Sequence, residues 1–138
     1  MTGRTLDTSV LIPALHNRHA SHQAYVRQIA TADTLMQPVA LEAIAEISRR
    51  PHGLAGSAQQ VWPALQDTFP GPVVTLSAPE FMSACDEVTS AGVRGGAMYD
   101  ALIGMCARAH KLTLVTRDRR AIATYAAVGV AYEYLETA

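Results

Sequence analysis

Two aspartates in this sequence follow short apolar segments, at positions where a carboxylate could take part in catalysis or metal binding. Asp7 comes directly after segment 4–6, and Asp118 lies two residues beyond segment 112–116. Both segments have the composition of short strands. Because ligands of parallel sheets bind at the carboxyl ends of the strands, we expect the two carboxylates to lie near each other. Each aspartate also has a simpler interpretation, as the N-cap of the helix predicted to follow it.

Three further acids lie on predicted helices. Helical spacing places Asp100 on a face that would normally pack against the sheet, because its neighbours on that face are small or apolar. These neighbours are Gly96, Ala97, Ile103, Gly104 and Ala107. A carboxylate in such a position needs a partner, or it becomes neutral through a raised pKa. Glu42 and Glu46 lie one turn apart on another helix, and Glu46 has an alternative interpretation as a surface partner of Arg49 and Arg50.

Together, Asp7, Glu42, Asp100 and Asp118 predict a metal site. Carboxylates that meet at one point repel each other, so one of them becomes protonated unless a cation lies among them. Ligation by oxygen alone favours a hard octahedral ion, Mg²⁺ or Mn²⁺. The five histidines show no spacing typical of metal ligands. We therefore predict an acidic Mg²⁺ centre at the sheet edge.

Two arginine clusters flank the predicted acidic site. One ends the helix that carries Glu42, and the other adjoins Asp118. Their members are Arg49, Arg50, Arg117, Arg119 and Arg120. They are either solvated surface residues or partners for the charge of a phosphodiester, which guanidinium groups bind through paired hydrogen bonds.

The elements that must position these side chains alternate between strands and helices. Strands are predicted at 4–6, 34–36, 72–75, 112–116 and 130–134, and segment 72–75 is expected to be buried. Helices are predicted at 8–16, 19–31, 38–50, 57–69, 77–91, 97–110 and 118–128. Ser77 and Glu80 have the spacing of a capping box at the start of one of these helices. The alternation predicts a mostly parallel sheet covered by helices on both faces.

Composition limits the class of protein. With 138 residues, of which 49% are hydrophobic and 17% charged, the chain is expected to form a single domain over 1–138 and is not disordered. The net charge of −1 excludes a global positive field for nucleic acid, so such contacts must be local. Cys85 and Cys106 show neither a disulfide pattern nor a zinc pattern. Asp7 interrupts the apolar N-terminal segment and no run reaches the about 20 residues that span a bilayer, so we expect a cytoplasmic protein without a membrane segment.

Four segments resemble the motifs of the PIN-domain ribonucleases, and within them those of the VapC toxins of bacterial toxin–antitoxin pairs. The segments are 6–11, 42–51, 99–103 and 116–120, with the sequences LDTSVL, EAIAEISRRP, YDALI and TRDRR. They occur in the order and spacing of the family and cover nearly the whole chain. The distance from Glu42 to Arg49 and Pro51 matches the family's helix with a leading Glu, which selects Glu42 over Glu46 as the motif acid.

The resemblance implies a three-layer α/β/α sandwich around a mostly parallel sheet. It also implies Mg²⁺-dependent cleavage of structured or single-stranded RNA such as tRNA or rRNA, with Mn²⁺ as a substitute ion. The implied catalytic and metal-binding acids are Asp7, Glu42, Asp100 and Asp118, and the implied supporting hydroxyls are those of Thr8, Ser9 and Thr116. The five arginines of the two clusters would bind RNA. The resemblance further implies inhibition by a cognate antitoxin of the VapB type, and a homodimer within a toxin–antitoxin complex.

Other functions fit the same residues. A metal-dependent DNA nuclease of the PIN-like class would use the same carboxylates, and an assay on matched RNA and DNA strands separates the two substrates. A non-catalytic RNA-binding module with a PIN fold is a third possibility, which the presence of all four acids argues against. Because the sequence shows no histidine acid–base pair, we expect cleavage to leave 5′-phosphate and 3′-hydroxyl ends.

Overall fold

The structure, a computed structural model, describes residues 3–15, 22–49 and 58–136. The strands are β1 (Gly3–Leu6), β2 (Leu112–Thr116) and β3 (Tyr132–Tyr134). The helices are α1 (Thr8–Leu15), α2 (His22–Thr31), α3 (Gln37–Ser48), α4 (Ala58–Thr68), α5 (Ala78–Ser90), α6 (Ala97–Ala109) and α7 (Arg119–Ala127). Within these ranges, no helix is long and apolar enough to cross a membrane.

The three strands form a parallel sheet in which β2 lies between β1 and β3. Leu6, the last residue of β1, is in register with Val115 near the end of β2. The next residue, Asp7, donates its backbone N–H to the carbonyl of Val115 at 3.1 Å. The carboxyl ends of β1 and β2 therefore lie side by side, and the segments that follow them carry Asp7 and Asp118.

Two groups of helices pack against the central strand β2. In one group α1 packs on α2, α3 and β2, and in the other α6 packs on α5, α7 and β2. Apolar periodicity explains this packing: in α3 the residues Val39, Ala43 and Ile47, one turn apart, are all buried, while Glu42 lies on the exposed face. The protein thus has the three-layer α/β/α architecture expected from its sequence.

The strands predicted at 34–36 and 72–75 are reduced to two isolated parallel bridges, Thr5 to Thr34 and Met36 to Val74. Pro72 has no N–H with which to extend a ladder, and a proline is tolerated only at the edge of a sheet. The prediction that 72–75 is buried is wrong, because its residues are half-buried or exposed.

The other predicted elements occur with shifted ends. The strand at 112–116 and the capping box of Ser77 and Glu80 are confirmed. The last strand begins at Tyr132 and not at 130, and α7 begins at Arg119 because Asp118 has the extended backbone of an N-cap. The predicted helix boundaries at 16, 19, 50 and 57 lie outside the described residues.

Gly104 allows α6 and α7 to approach closely. A Cβ atom at this position would lie 3.0 Å from the side chain of Val128 and 3.3 Å from the ring of Tyr125. The absence of that atom leaves room for Tyr125, which is only 1% exposed. This close packing places the Tyr125 hydroxyl within reach of Asp7.

Candidate active site

Asp7 is an almost fully buried acid, with 3% of its surface exposed. Its Oδ1 accepts hydrogen bonds from the backbone N–H and the hydroxyl of Ser9, and its Oδ2 accepts one from the Tyr125 hydroxyl at 2.9 Å. Burial raises the pKa of Asp7, and the hydrogen bonds from Ser9, Thr116 and Tyr125 offset part of that effect. The bond from the Ser9 N–H is typical of an N-cap, so capping of α1 and membership of the site coexist at Asp7.

Two hydroxyls join the segments that follow β1 and β2. The Ser9 hydroxyl donates to Asp7 and accepts a hydrogen bond from the Arg117 N–H at 2.8 Å. It lies 3.4 Å from the Thr116 hydroxyl, which in turn accepts from the Asp118 N–H at 3.0 Å. Because Thr116 is fully buried, this network holds the two strand ends in a fixed relation.

Asp118 caps α7, as the simpler interpretation of this residue predicted. Its Oδ1 accepts a hydrogen bond from the Arg120 N–H at 3.0 Å and lies 3.7 Å from the Arg120 side-chain Nε. Its Oδ2 makes no hydrogen bond with any residue that the structure describes. One oxygen of Asp118 therefore serves the fold, while the other is available to a ligand.

The remaining two acids lie on helices and have few partners. Glu42 accepts a single hydrogen bond in its Oε1, from the Thr8 hydroxyl at 3.2 Å. Asp100 stands in the first turn of α6, half-buried, and its carboxylate makes no hydrogen bond within the described ranges. The sequence placed Asp100 on a face that packs against the sheet, and the structure shows its side chain half-buried at the edge of that face.

The four acids act on one another electrostatically. Burial, followed by the negative charges of Asp118, Asp7 and Glu42, raises the pKa of Asp100 to about 6. Desolvation raises the pKa of Glu42 as well, and the charges of Asp7 and Glu46 add to that rise. The structure thus brings the four predicted acids into one coupled group with an excess of negative charge.

The donor set fits a divalent cation. In the described ranges no three histidine, cysteine or acidic side chains are spaced to bind one ion directly. Mg²⁺ does not need such a cage, because it usually keeps several waters and takes one or two carboxylates from the protein. Each carboxylate offers about four acceptor positions, and the hydrogen bonds of Asp118 and Glu42 use only one oxygen of each.

Most of the predicted RNA-binding arginines have intramolecular partners. Arg117 places its guanidinium 5.8 Å from the ring centroid of Tyr25, and Arg119 places its own 5.0 Å from that of Tyr134. Arg49 forms an ion pair with Glu46, which is the surface pairing considered from the sequence. Arg50 lies outside the described residues. Arg120 also pairs with an acid, Asp118, but at 3.7 Å and with a side chain that is 94% exposed, so it is the least constrained of the described arginines in the two clusters.

Two tyrosines belong to this region although the sequence did not assign them a role. Tyr125 donates to Asp7 from a position 118 residues further along the chain, so no local pattern marks the contact. Tyr99 immediately precedes Asp100 and is 74% exposed. Its place at the start of the motif segment 99–103, directly before a motif acid, is the local signal that points to Tyr99.

Fold and site together define an α/β protein with a carboxylate centre at the carboxyl ends of two adjacent parallel strands. The family model of the PIN domain matches residues 5–127, and the chain belongs to the PIN domain family. Dependence on a divalent metal ion is general in this family.

Two relatives from Mycobacterium tuberculosis align with most of the chain. Ribonuclease VapC40 is 34% identical over 129 residues, which are 92% of this chain and 95% of the relative. Ribonuclease VapC27 is 33% identical over 126 residues, 91% of each chain.

Solved structures show the same fold at lower identity. A chain of FitAB bound to an IR36 DNA fragment superimposes with a TM-score of 0.67 at 19% identity, covering 96% of both chains. A chain of FitAcB from Neisseria gonorrhoeae gives a TM-score of 0.62 at 18% identity, covering 92% of this chain and 94% of the other.

Proposed function

We propose that this protein is a metal-dependent endoribonuclease of the VapC type. The observation that carries the proposal is the coupled group of Asp7, Glu42, Asp100 and Asp118 at one end of the sheet, in a chain whose curated relatives are named ribonucleases. Such a concentration of carboxylates is electrostatically costly for the fold, and a bound divalent cation would offset that cost.

We propose that the group of four acids holds Mg²⁺, with Mn²⁺ as a substitute, through one or two direct carboxylate ligands and through bound waters that hydrogen-bond to the other acids. When bound by these acids, such an ion would supply Lewis-acid chemistry to a phosphodiester and to an attacking water. Asp7 holds its charge in one orientation, because donors fix both of its oxygens. Glu42 or Asp118 could orient the attacking water, since each is held by one hydrogen bond and keeps its other oxygen free of hydrogen bonds to the described residues.

The hydroxyl residues and arginines support this reaction from outside the acid group. Ser9 and Thr116 keep the two strand-end acids in register, and Thr8 orients Glu42. Contacts of the two arginine clusters with RNA remain part of the proposal. Arg120 is the favoured phosphate partner, because its exposed guanidinium lies beside Asp118 and has no aromatic partner among the described residues.

The proposal extends to a toxin role. The chain would act in the cytoplasm as a single domain, be neutralised by an antitoxin of the VapB type, and form a homodimer within that complex. The VapC names of the relatives support this part. Expression of the protein alone should arrest growth, and co-expression with its genomic neighbour should restore growth.

The test of the activity is cleavage of matched RNA and DNA strands with Mg²⁺, with Mn²⁺ and with chelator. We expect RNA to be cut only with the metal, leaving 5′-phosphate and 3′-hydroxyl ends, as identified by end-specific ligation and sequencing. Cleavage of DNA in preference to RNA would favour the DNA nuclease. Binding of RNA without cleavage under all metal conditions would favour the non-catalytic module.

A further inference from the structure

A cavity of about 570 Å³ opens directly beside the acid group, between α3 and α6. Glu42 and Asp100 form part of its wall, so the cavity and the candidate active site share two residues. Its wall also includes Gln37, Leu41, Tyr99 and Leu102. The volume lies in the range of small-molecule sites, about 300–1,000 Å³.

Two exposed apolar side chains line this cavity, and each lies directly before one of the two acids in the wall. Leu41 directly precedes Glu42 on α3 and is 62% exposed, and Tyr99 directly precedes Asp100 on α6 and is 74% exposed. Large apolar side chains with such exposure, placed together beside charged groups, mark a surface that binds something. Their positions next to the two helix acids place this surface at the candidate reaction centre.

Tyr99 differs from the other tyrosines around the site. The ring of Tyr25 is contacted by Arg117, the ring of Tyr134 by Arg119, and Tyr125 is buried. Within the described ranges, the Tyr99 side chain makes neither a hydrogen bond nor a ring contact. Its aromatic face is therefore available to a ligand.

The charge of the cavity wall indicates which part of a nucleotide fits there. The wall contains two acids and no lysine or arginine. A phosphate would be repelled, whereas an uncharged base would not, and its amino and carbonyl groups can pair with the Gln37 amide. Proteins that bind unpaired RNA use aromatic side chains in this way, stacking on the base.

We propose that this cavity is a nucleobase subsite, in which Tyr99 stacks on an unpaired base that flanks the scissile phosphate and Leu41 contributes an apolar wall. The inference rests on the proposed ribonuclease function and adds a determinant of where the RNA is cut. It assigns the acids to the metal ion that would hold the scissile phosphate, and Tyr99 to the neighbouring base. An unpaired base is required, because a base within a duplex has no free face.

The experiment uses a hairpin RNA library with a randomised loop, from which one efficiently cut hairpin is chosen for kinetics. Tyr99→Ala should lower kcat/KM by about 10- to 100-fold, the size expected for loss of one stacked base. Tyr99→Phe keeps the ring and should stay within about twofold of the unmodified protein. Met82→Ala, which truncates another exposed apolar side chain outside the cavity, is the matched control.

A second arm places an abasic nucleotide on either side of the cut. Removal of the stacked base should slow the unmodified protein by the same factor as Tyr99→Ala, and should cause no further loss in Tyr99→Ala. Binding is followed separately with the non-cleaving Asp118→Asn variant, using 2-aminopurine at the flanking position. We expect its fluorescence to fall on binding, and to remain unchanged when Tyr99→Ala is added.

The ribonuclease activity and the base subsite are tested separately. If the unmodified protein cuts no RNA with any metal, the ribonuclease proposal fails. If it cuts RNA and Tyr99→Ala cuts equally well, or if the abasic and Tyr99→Ala losses add independently, the subsite is wrong. In that case the exposed face of Tyr99 belongs to another ligand, such as a protein partner.

Discussion

The two sides of the carboxylate group are built differently. On the strand side, Ser9 and Tyr125 donate to the Asp7 carboxylate, and the Thr116 hydroxyl accepts from the Asp118 N–H; the bond from Tyr125 is buried. On the helix side, Glu42 has one hydrogen-bond partner, and Asp100 has none among the described residues.

This difference indicates a division of roles. Asp7, which is buried and hydrogen-bonded at both oxygens, holds a rigid geometry, which is what precise placement of an ion needs. The helix side borders an open cavity, and its charge is left uncompensated in the protein alone. The strand side therefore suits preorganised chemistry, and the helix side suits groups that move when metal and substrate arrive.

The largest effect should come from removing charge on the strand side. Asp118→Asn keeps a good N-cap residue for α7, so the fold is retained while a negative charge is lost. We expect RNA cleavage to fall by at least about 100-fold, because charge at the reaction centre cannot be replaced by an amide. The measurement is single-turnover cleavage, with circular dichroism as the control for folding. Cleavage within a few-fold of the unmodified protein would assign Asp118 to capping alone.

The next largest effect should come from removing a hydrogen bond to Asp7 on the strand side, which should raise the Mg²⁺ requirement of cleavage. Tyr125→Phe removes only the hydroxyl that donates to Asp7. Loss of a residue that orients a metal ligand typically weakens metal affinity by about 10- to 100-fold, and we expect the Mg²⁺ concentration for half-maximal cleavage to rise accordingly. The free energy of unfolding should also fall, by about 1–3 kcal/mol.

Tyr132→Phe, which removes a hydroxyl from a more exposed tyrosine, is the control for that experiment. If Tyr125 acts through Asp7, its effect on the Mg²⁺ requirement should disappear in an Asp7→Asn background. Equal effects of Tyr125→Phe with and without Asp7 would assign the hydroxyl to packing.

Metal binding should stabilise the folded protein. An ion that binds only the native acids adds roughly 2.7 kcal/mol at about 100 times its Kd. For a domain of this size that raises Tm by roughly 5–14 °C. Asp100→Asn should be more stable than the unmodified protein in chelator, because one repelling charge is gone, and should respond less to Mg²⁺. Thermal melts at fixed ionic strength measure both quantities, and equal Mg²⁺ shifts in the two proteins would place Asp100 outside the metal site.

The stability of the metal-free protein should depend on pH because the pKa of Asp100, on the helix side, is raised. The pKa of Asp100 is raised in the folded state to about 6, so the folded protein binds this proton more tightly than the unfolded chain. Its contribution to stability is therefore favourable at low pH and is lost as the pH rises from about 4 to about 6. In chelator, the fall in Tm across this window should be smaller for Asp100→Asn. Parallel curves would mean that Asp100 ionises normally.

The smallest effect concerns the arginines at the rim. Arg120→Ala should reduce the slope of log affinity against log salt by about 0.7, the value for one phosphate contact on a single strand. Arg49→Ala should change the slope less, since Glu46 already pairs with this guanidinium. The measurement is RNA binding by Asp118→Asn over a range of salt concentrations. Equal slopes for the two arginine variants would remove the distinction between them.

The sequence alone predicted the parts of the protein that depend on local order. The strand at 112–116 and the capping box of Ser77 and Glu80 follow from neighbouring residues, and both are confirmed. The spacing of apolar residues around Asp100 predicted a carboxylate on a covered helix face, and the structure leaves it half-buried. Motif order identified the family, which the comparisons confirm.

Contacts between distant residues were decided only by the tertiary structure. The hydrogen bond from Tyr125 to Asp7 joins the two ends of the chain, and no local pattern encodes it. The stacking of Arg117 and Arg119 on Tyr25 and Tyr134 likewise separates these arginines from Arg120, although all three adjoin Asp118 in the sequence. Local periodicity determines which face of an element is apolar, whereas the partner of each polar group depends on which elements the packed fold brings together.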